Sequence, residues 1–138
     1  MPQVIDIQKE MDTRTFLEGR HVNTPPEELE AAFATLANYR DGGIFAGGFS
    51  GTSRWERHRN GDEIVHVLSG ATRLTIMSQS ETETFELTAG MMIIVPQGCW
   101  HRFESETGVR LMTVTPQPTD HTGADDPNET PRNPSVGT

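Results

Sequence analysis

Cysteine is nearly missing from this chain. Cys99 stands alone among 138 residues, which excludes an intrachain disulfide and any CxxC metal knuckle. Lysine is as scarce, with Lys9 the single example, and the ten arginines are scattered one at a time. A formal charge of −9 with no basic stripe excludes a phosphate-backbone partner, so nucleic acid is not expected. No apolar run approaches the ~20 residues needed to cross a bilayer. The opening MPQVIDIQKEMD lacks the basic-then-apolar pattern of a signal peptide, and no lipidation signal is present. The expectation is a cytoplasmic protein with no membrane partner.

What the chain does contain is glycine and proline, thirteen and nine residues respectively, with only 22% charged residues. That balance suits many short strands and turns better than a helical bundle. Residues 3–7 read as a short strand. Thr24-Pro25-Pro26-Glu27 then reads as a helix start, with Thr24 as cap, Pro25 in the first turn and Glu27 completing a capping box. Leu29, Ala32, Phe33 and Leu36 fall at helical spacing, which predicts a helix over about 25–37 packed outside the main fold, within an N-terminal extension of residues 1–41.

From Gly42 the pattern changes to eight strand-like segments: IFAGGF, SRWERH, EIVHVLS, ATRLTIMS, TFEL, MMIIV, HRFES and VRLMTVT. Asn60-Gly61, Ser69-Gly70, Ala89-Gly90, Gln97-Gly98 and Thr107-Gly108 punctuate them as turns. The prediction is an all-β barrel or sandwich over residues 42–115. Residues 116–138 hold Val136 as their only large apolar residue and four acidic groups against Arg132, so they are expected to be disordered or loosely draped and are assigned no chemistry.

Two stretches place metal-ligand residue types at strand spacing. Glu56 and His58 are two residues apart and share a strand face, while Arg57 looks away. After the Asn60-Gly61 turn, Glu63 returns beside them as in a hairpin. The second stretch, GMMIIVPQGCWH, delivers His101 after a Pro-Gly turn. Asp62 is the rival to Glu63, because a one-residue slip at the turn would exchange them. Arg54 shares parity with Glu56, either to pair with it or to hold a substrate carboxylate. Phe103 and Ser105 share parity with His101 and are candidate lining residues. Trp55 and Trp100 face the other way, towards an outer face or a subunit contact. His66 and Cys99 read as packing residues. His21 and His121 are given no role.

These two stretches resemble the paired motifs of the cupin superfamily. Glu56-x-His58, four residues, Glu63, six residues and Gly70 match the first motif with Glu in place of its first His. Gly51 stands one residue closer to that position than is usual. Gly90 through Pro96, Gly98 and His101 match the second, with Ser105 where Asn is usual. The resemblance implies a double-stranded β-helix, a jelly-roll barrel, holding one divalent transition metal ion (Fe, Mn, Ni or Zn) through His58, Glu63, His101 and, at the substituted position, Glu56.

Two roles are open to Glu56: fourth ligand of a harder site, or general base beside a two-His, one-carboxylate site. The function expected is a metalloenzyme acting on a small organic molecule, with dioxygenase, isomerase, cyclase and lyase chemistry all open. The alternative is a non-catalytic small-molecule-binding barrel. A homodimer is expected, with Trp55, Trp100 and residues 3–7 available for contact.

Overall fold

The computed structural model describes residues 2–129 and 134–135. Its first element is a helix, α1 (Ile7–Asp12), in place of the strand expected near residues 3–7. The Asp6 carboxylate accepts the free N–H of Lys9 at 3.1 Å and so caps it, which is what starts a helix here. β1 (Leu17–Arg20) follows, then α2 (Pro26–Ala32) and β2 (Phe33–Tyr39).

The helix predicted over 25–37 is therefore cut to seven residues. From Phe33 onward the chain pairs antiparallel with β3 (Gly42–Thr52), from Phe33 opposite Gly47 to Tyr39 opposite Gly42. Helical spacing picked out Leu29, Ala32 and Phe33, which pack in or on the core, but not the buried Ala34; from Phe33 a ladder of sheet hydrogen bonds outweighs the weak preference of a short helix. The capping box is also absent. Pro25 occupies the cap position, and the Thr24 hydroxyl accepts instead from the His21 N–H at 2.8 Å.

The eight segments expected between Gly42 and Thr115 form six strands: β3, β4 (Trp55–His58), β5 (Glu63–Ser78), β6 (Glu81–Thr88), β7 (Met92–Val95) and β8 (Trp100–Pro116). The difference lies at two expected turns. Ser69-Gly70 and Thr107-Gly108 do not reverse the chain; β5 and β8 run through them as long bent strands whose register shifts there. Gly70, at φ +78°, lies against Gly108, and a Cβ on it would overlap the Gly108 carbonyl. Glycine here permits a bulge rather than a hairpin.

β8 is the central strand. It pairs with β3 on one side and β5 on the other, and at its start Glu56 of β4 lies opposite His101. β5 also carries β7 at its first half and β6 at its second. The chain is thus mostly strand, wrapped as a double-stranded β-helix with the two short helices outside. Inward positions alternate as a two-residue period requires. Val65, Val67, Leu74, Val109 and Leu111 are buried with Phe49 and Phe103 in one apolar cluster. The same inward rows carry Glu63 before Val65 and His101 before Phe103. Polar groups therefore gather at one end of the apolar interior.

The largest departure from expectation is the segment after Thr115. It continues as the end of β8 and then as β9 (Thr119–Thr122), all four of whose residues are buried. β9 pairs antiparallel with β4, setting Trp55 opposite Thr122, Glu56 opposite His121, Arg57 opposite Asp120 and His58 opposite Thr119. Its place comes from ladder bonds and charge, not apolar burial. Asp120 meets Arg57 and Arg59 at 2.9 Å each. A forecast based on apolar content cannot see such a strand. A further short strand, β10 (Pro134–Ser135), pairs with β9. Residues 130–133 and 136–138 of the segment lie outside the described residues. No helix among the described residues is long and apolar enough to cross a membrane.

Candidate metal centre

Three strands bring the ligand-type side chains together. β4 supplies His58 at its last residue, β5 supplies Glu63 at its first, and β8 supplies His101 at its second. Ligand atoms from these three residues lie within 4.8 Å of one another, and all three residues are buried. The turn between β4 and β5 fixes the register. Asp62 sits outside, where its Oδ1 accepts the Gln97 N–H at 2.8 Å, so Glu63 is the carboxylate that enters.

His58 Nε2 stands 3.3 Å from Glu63 Oε2, and His101 Nε2 stands 3.0 Å from Glu63 Oε1. These are hydrogen-bond distances without hydrogen-bond orientation. His58 Nε2, His101 Nε2 and Glu63 Oε1 are buried with no properly directed partner. Buried polar atoms left in this way are costly. Three of them converging on one space are a group that could hold a cation.

The opposite atoms of the same groups are tied down. His101 Nδ1 lies 3.1 Å from the Cys99 carbonyl, an acceptor only, so Nδ1 carries a proton in either charge state and Nε2 is the nitrogen left for a cation once its own proton is gone. His58 Nδ1 lies 3.0 Å from the Thr119 hydroxyl, which in turn donates to Gln117 Oε1 at 3.4 Å. That direction leaves the hydroxyl oxygen to accept from His58 Nδ1 and again frees Nε2. Glu63 Oε2 accepts from Thr115 at 2.7 Å, and Thr115 is bonded to Thr113 at 2.8 Å.

Burial by itself would raise the Glu63 pKa, but the His58 charge and the close approach of both imidazoles outweigh it and hold the carboxyl well below its usual range. Burial would lower His101, yet its contact with Glu63, the charges of Glu63 and Glu56 and the Cys99 carbonyl raise it. Without a cation, the pair therefore favours an imidazolium against a carboxylate.

Glu56 is buried as well but stands outside the three-residue cluster. Its Oε2 lies 3.8 Å from His121 Nε2. His121 is lowered mainly by burial and by Arg54, Arg20 and His58, against the pull of Glu56. Glu56 and Glu63 line a narrow cavity with Arg20, Phe33, Phe49 and Phe103. The space open to the centre of a water molecule there is about 10 Å³, room for about one water.

Of the other residues singled out in the sequence, Phe103 lines this cavity and sets its ring edge-on to His101, centroids 6.1 Å apart. Ser105 does not enter it. Its hydroxyl donates to the Ala71 carbonyl at 2.6 Å and accepts from the Gly108 N–H at 3.0 Å, bracing the bulge. Arg54 is half-buried, forms no ion pair with Glu56 and is not among the cavity-lining residues. Trp55 and Trp100 are not among the residues that line the cavity, and they are not open for contact. Arg102 covers one ring at 4.7 Å and Arg57 the other at 4.5 Å, and both rings are buried. His21 lies apart, its Nδ1 accepting from the Asn23 N–H.

Sequence reasoning missed Arg20, Thr115, Thr119 and His121. The alternation of TDHT was a signal of a strand, but too short to stand against the polar composition around it. Arg20 carried none.

The sequence matches the family model described as "Cupin domain" over residues 45–115. No curated protein matches it. Among solved structures it is similar to a cupin-2 domain containing protein from Shewanella frigidimarina, with 24% identity over 62% of this chain and 80% of that one, at a TM-score of 0.50. A protein from Neisseria meningitidis is 16% identical over 83% of this chain and 100% of its own, with a TM-score of 0.57. A hydroquinone 1,2-dioxygenase, solved with Cd2+ and 4-hydroxybenzonitrile, is 17% identical over 69% and 67% respectively, with a TM-score of 0.53. These likenesses speak for the fold.

Proposed function

Because this chain belongs to the cupin family, we propose that His58, Glu63 and His101 hold one divalent transition metal ion and that the protein is an enzyme acting on a small organic molecule. The observation that carries the proposal is the convergence of three buried donor atoms without directed partners, each on a side chain whose other polar atom is already bonded. Two imidazoles and one carboxylate fit a divalent ion and leave positions open, a donor set associated with Fe(II) and acceptable to Mn, Ni or Zn. When bound, such an ion supplies Lewis acidity or oxygen activation.

The chain's own residues divide the remaining tasks. Thr115 and the Cys99 carbonyl hold Glu63 and His101 in place, and Thr119 does so for His58. Phe49 and Phe103 keep bulk water from the cavity, which strengthens every charge interaction inside it. Glu56, buried and apart from the cluster, is the proton-transfer group: it accepts a proton from the bound molecule at a carboxylate oxygen and returns it to the product. This separate buried carboxylate favours an enzyme over a passive store. The protein pairs as a homodimer, and exposed apolar side chains such as Val4, Met92 and Ile94 are available for contact, since both tryptophans are covered.

Elemental analysis of purified protein tests the centre: about one ion per chain is expected, and His58→Ala with His101→Ala loses it. Full retention by that double variant overturns the ligand set. Glu56→Gln separates its two roles: metal retained marks it as the base, whereas weakened metal binding marks it as a ligand. Light scattering at micromolar concentration tests the dimer; a monomer refutes it.

A further inference from the structure

Arg20 lines the cavity and comes from β1, outside the residues that match the family. It is seated there by backbone contact. β1 runs parallel to β3 with Arg20 opposite Gly51, and a Cβ on Gly51, at φ +103°, would collide with the Arg20 backbone. The displaced glycine of the first motif thus admits a strand that brings a cation to the site. Its guanidinium lies over the rings of Phe49 at 4.7 Å and Phe33 at 5.2 Å. Arg20 is 7% exposed, yet among the described residues it forms no ion pair and its side chain makes no hydrogen bond. Glu56 acts on it only through its field, and burial dominates to weaken its hold on the proton.

The guanidinium nitrogens are not among the fully sealed atoms, so they face the free space of the cavity, and a guanidinium so little exposed and without a protein acceptor is costly unless something in that space completes it. Charge in the cavity points the same way. With a divalent ion bound, neutral imidazoles, charged Arg20 and the two carboxylates of Glu56 and Glu63 leave one positive charge over, and Arg54, whose charge is felt at Arg20, adds to that excess; an anion offsets it.

We infer that Arg20 binds the anionic group of the ligand, and that the site takes a small monocarboxylate whose short apolar body lies against Phe33, Phe49 and Phe103. A carboxylate matches the guanidinium fork in a way that a neutral amide cannot. The cavity as it stands holds about one water, so only the smallest acids are in reach: the carboxylate takes the place of that water, and Phe33, Phe49 and Phe103 shift to admit the rest of the molecule. This inference rests on the cavity being the ligand site of the proposed function, and it extends that function by naming the substrate class.

The test is a two-dimensional NMR titration with acetate and propanoate against acetamide and propanamide. It is made on zinc-loaded protein and on protein stripped with a chelator, with metal content measured on the same samples. The acids are expected to shift resonances around the cavity in both forms, and the amides are not. Arg20→Met keeps the stacked aliphatic stem, binds zinc as before and weakens acid binding by about tenfold or more; Arg20→Lys falls between. Acid binding unchanged in Arg20→Met overturns the inference. So do amides binding as well as acids to stripped wild-type protein, an arm that needs no variant to fold. Arg20-dependent acid binding in protein that takes up no zinc supports the inference while refuting the metal centre. A loaded centre with no acid preference does the reverse.

Discussion

Replacing Thr119 by Val removes one hydroxyl from a fully buried position and tests whether β9 belongs to the site. The hydroxyl lies 3.0 Å from His58 Nδ1. When His58 Nε2 holds a cation, Nδ1 must carry the proton, and in the variant that N–H faces a methyl group. Leaving a buried donor without an acceptor costs about 1–3 kcal/mol. In the metal-free protein the ring has an escape, because it can place the proton on Nε2 beside Glu63 Oε2 at 3.3 Å. The cost therefore falls mainly on the loaded state.

Metal affinity is expected to drop about 10–100-fold, as when other outer partners of ligand histidines are lost. Metal-free stability should change less. Competition with a chromophoric chelator for Zn2+ at pH 7.5 measures the first quantity, and urea denaturation the second. Thr122→Val, on the same strand beside Trp55, serves as control with unchanged affinity. A folded Thr119→Val protein with affinity within about twofold of wild type (less than 0.5 kcal/mol) would refute the argument that β9 orients His58.

Two further outcomes follow from charge. Glu63 is held below its ordinary value of 4.5, so its contribution is present above that value and fades as pH falls through the lowered one; His101 is raised above 6.5, so its contribution is complete below 6.5 and fades as pH rises through the raised value. Metal-free protein should thus be most stable between these ordinary values and melt earlier towards pH 9. Zinc-loaded protein gains over the same range, because binding expels the His101 proton; parallel melting curves for the two forms would contradict this. Asp120→Ala releases the anchor of β9 from Arg57 and Arg59, which are exposed enough to remain solvated. A loss of about 1–3 kcal/mol in denaturant stability is expected, with faster proteolysis after Pro116; unaltered cleavage would show that the ladder to β4 suffices.

The sequence by itself determined the all-β class, the cupin motifs and the identity of three residues in the cluster. These rest on short-range rules. A two-residue period sets which side chains share a face, and a Gly-containing turn returns Glu63 to His58 within five residues. Ser69-Gly70 and Thr107-Gly108 show where such rules stop: glycine marks an unusual backbone, but only the pairing of β5 with β8 turns it into a bulge instead of a reversal. Tertiary structure alone decided that Glu56 stands apart from the cluster, that Arg20 from β1 supplies the cavity's cation where Arg54 had been expected, and that the polar segment after Thr115 becomes a buried strand bonded to His58. Each depends on partners far away in sequence, Arg20 on Gly51 and Thr119 on His58. Composition averages over a segment's own residues, so it is blind to hydrogen bonds and charges that the rest of the chain provides.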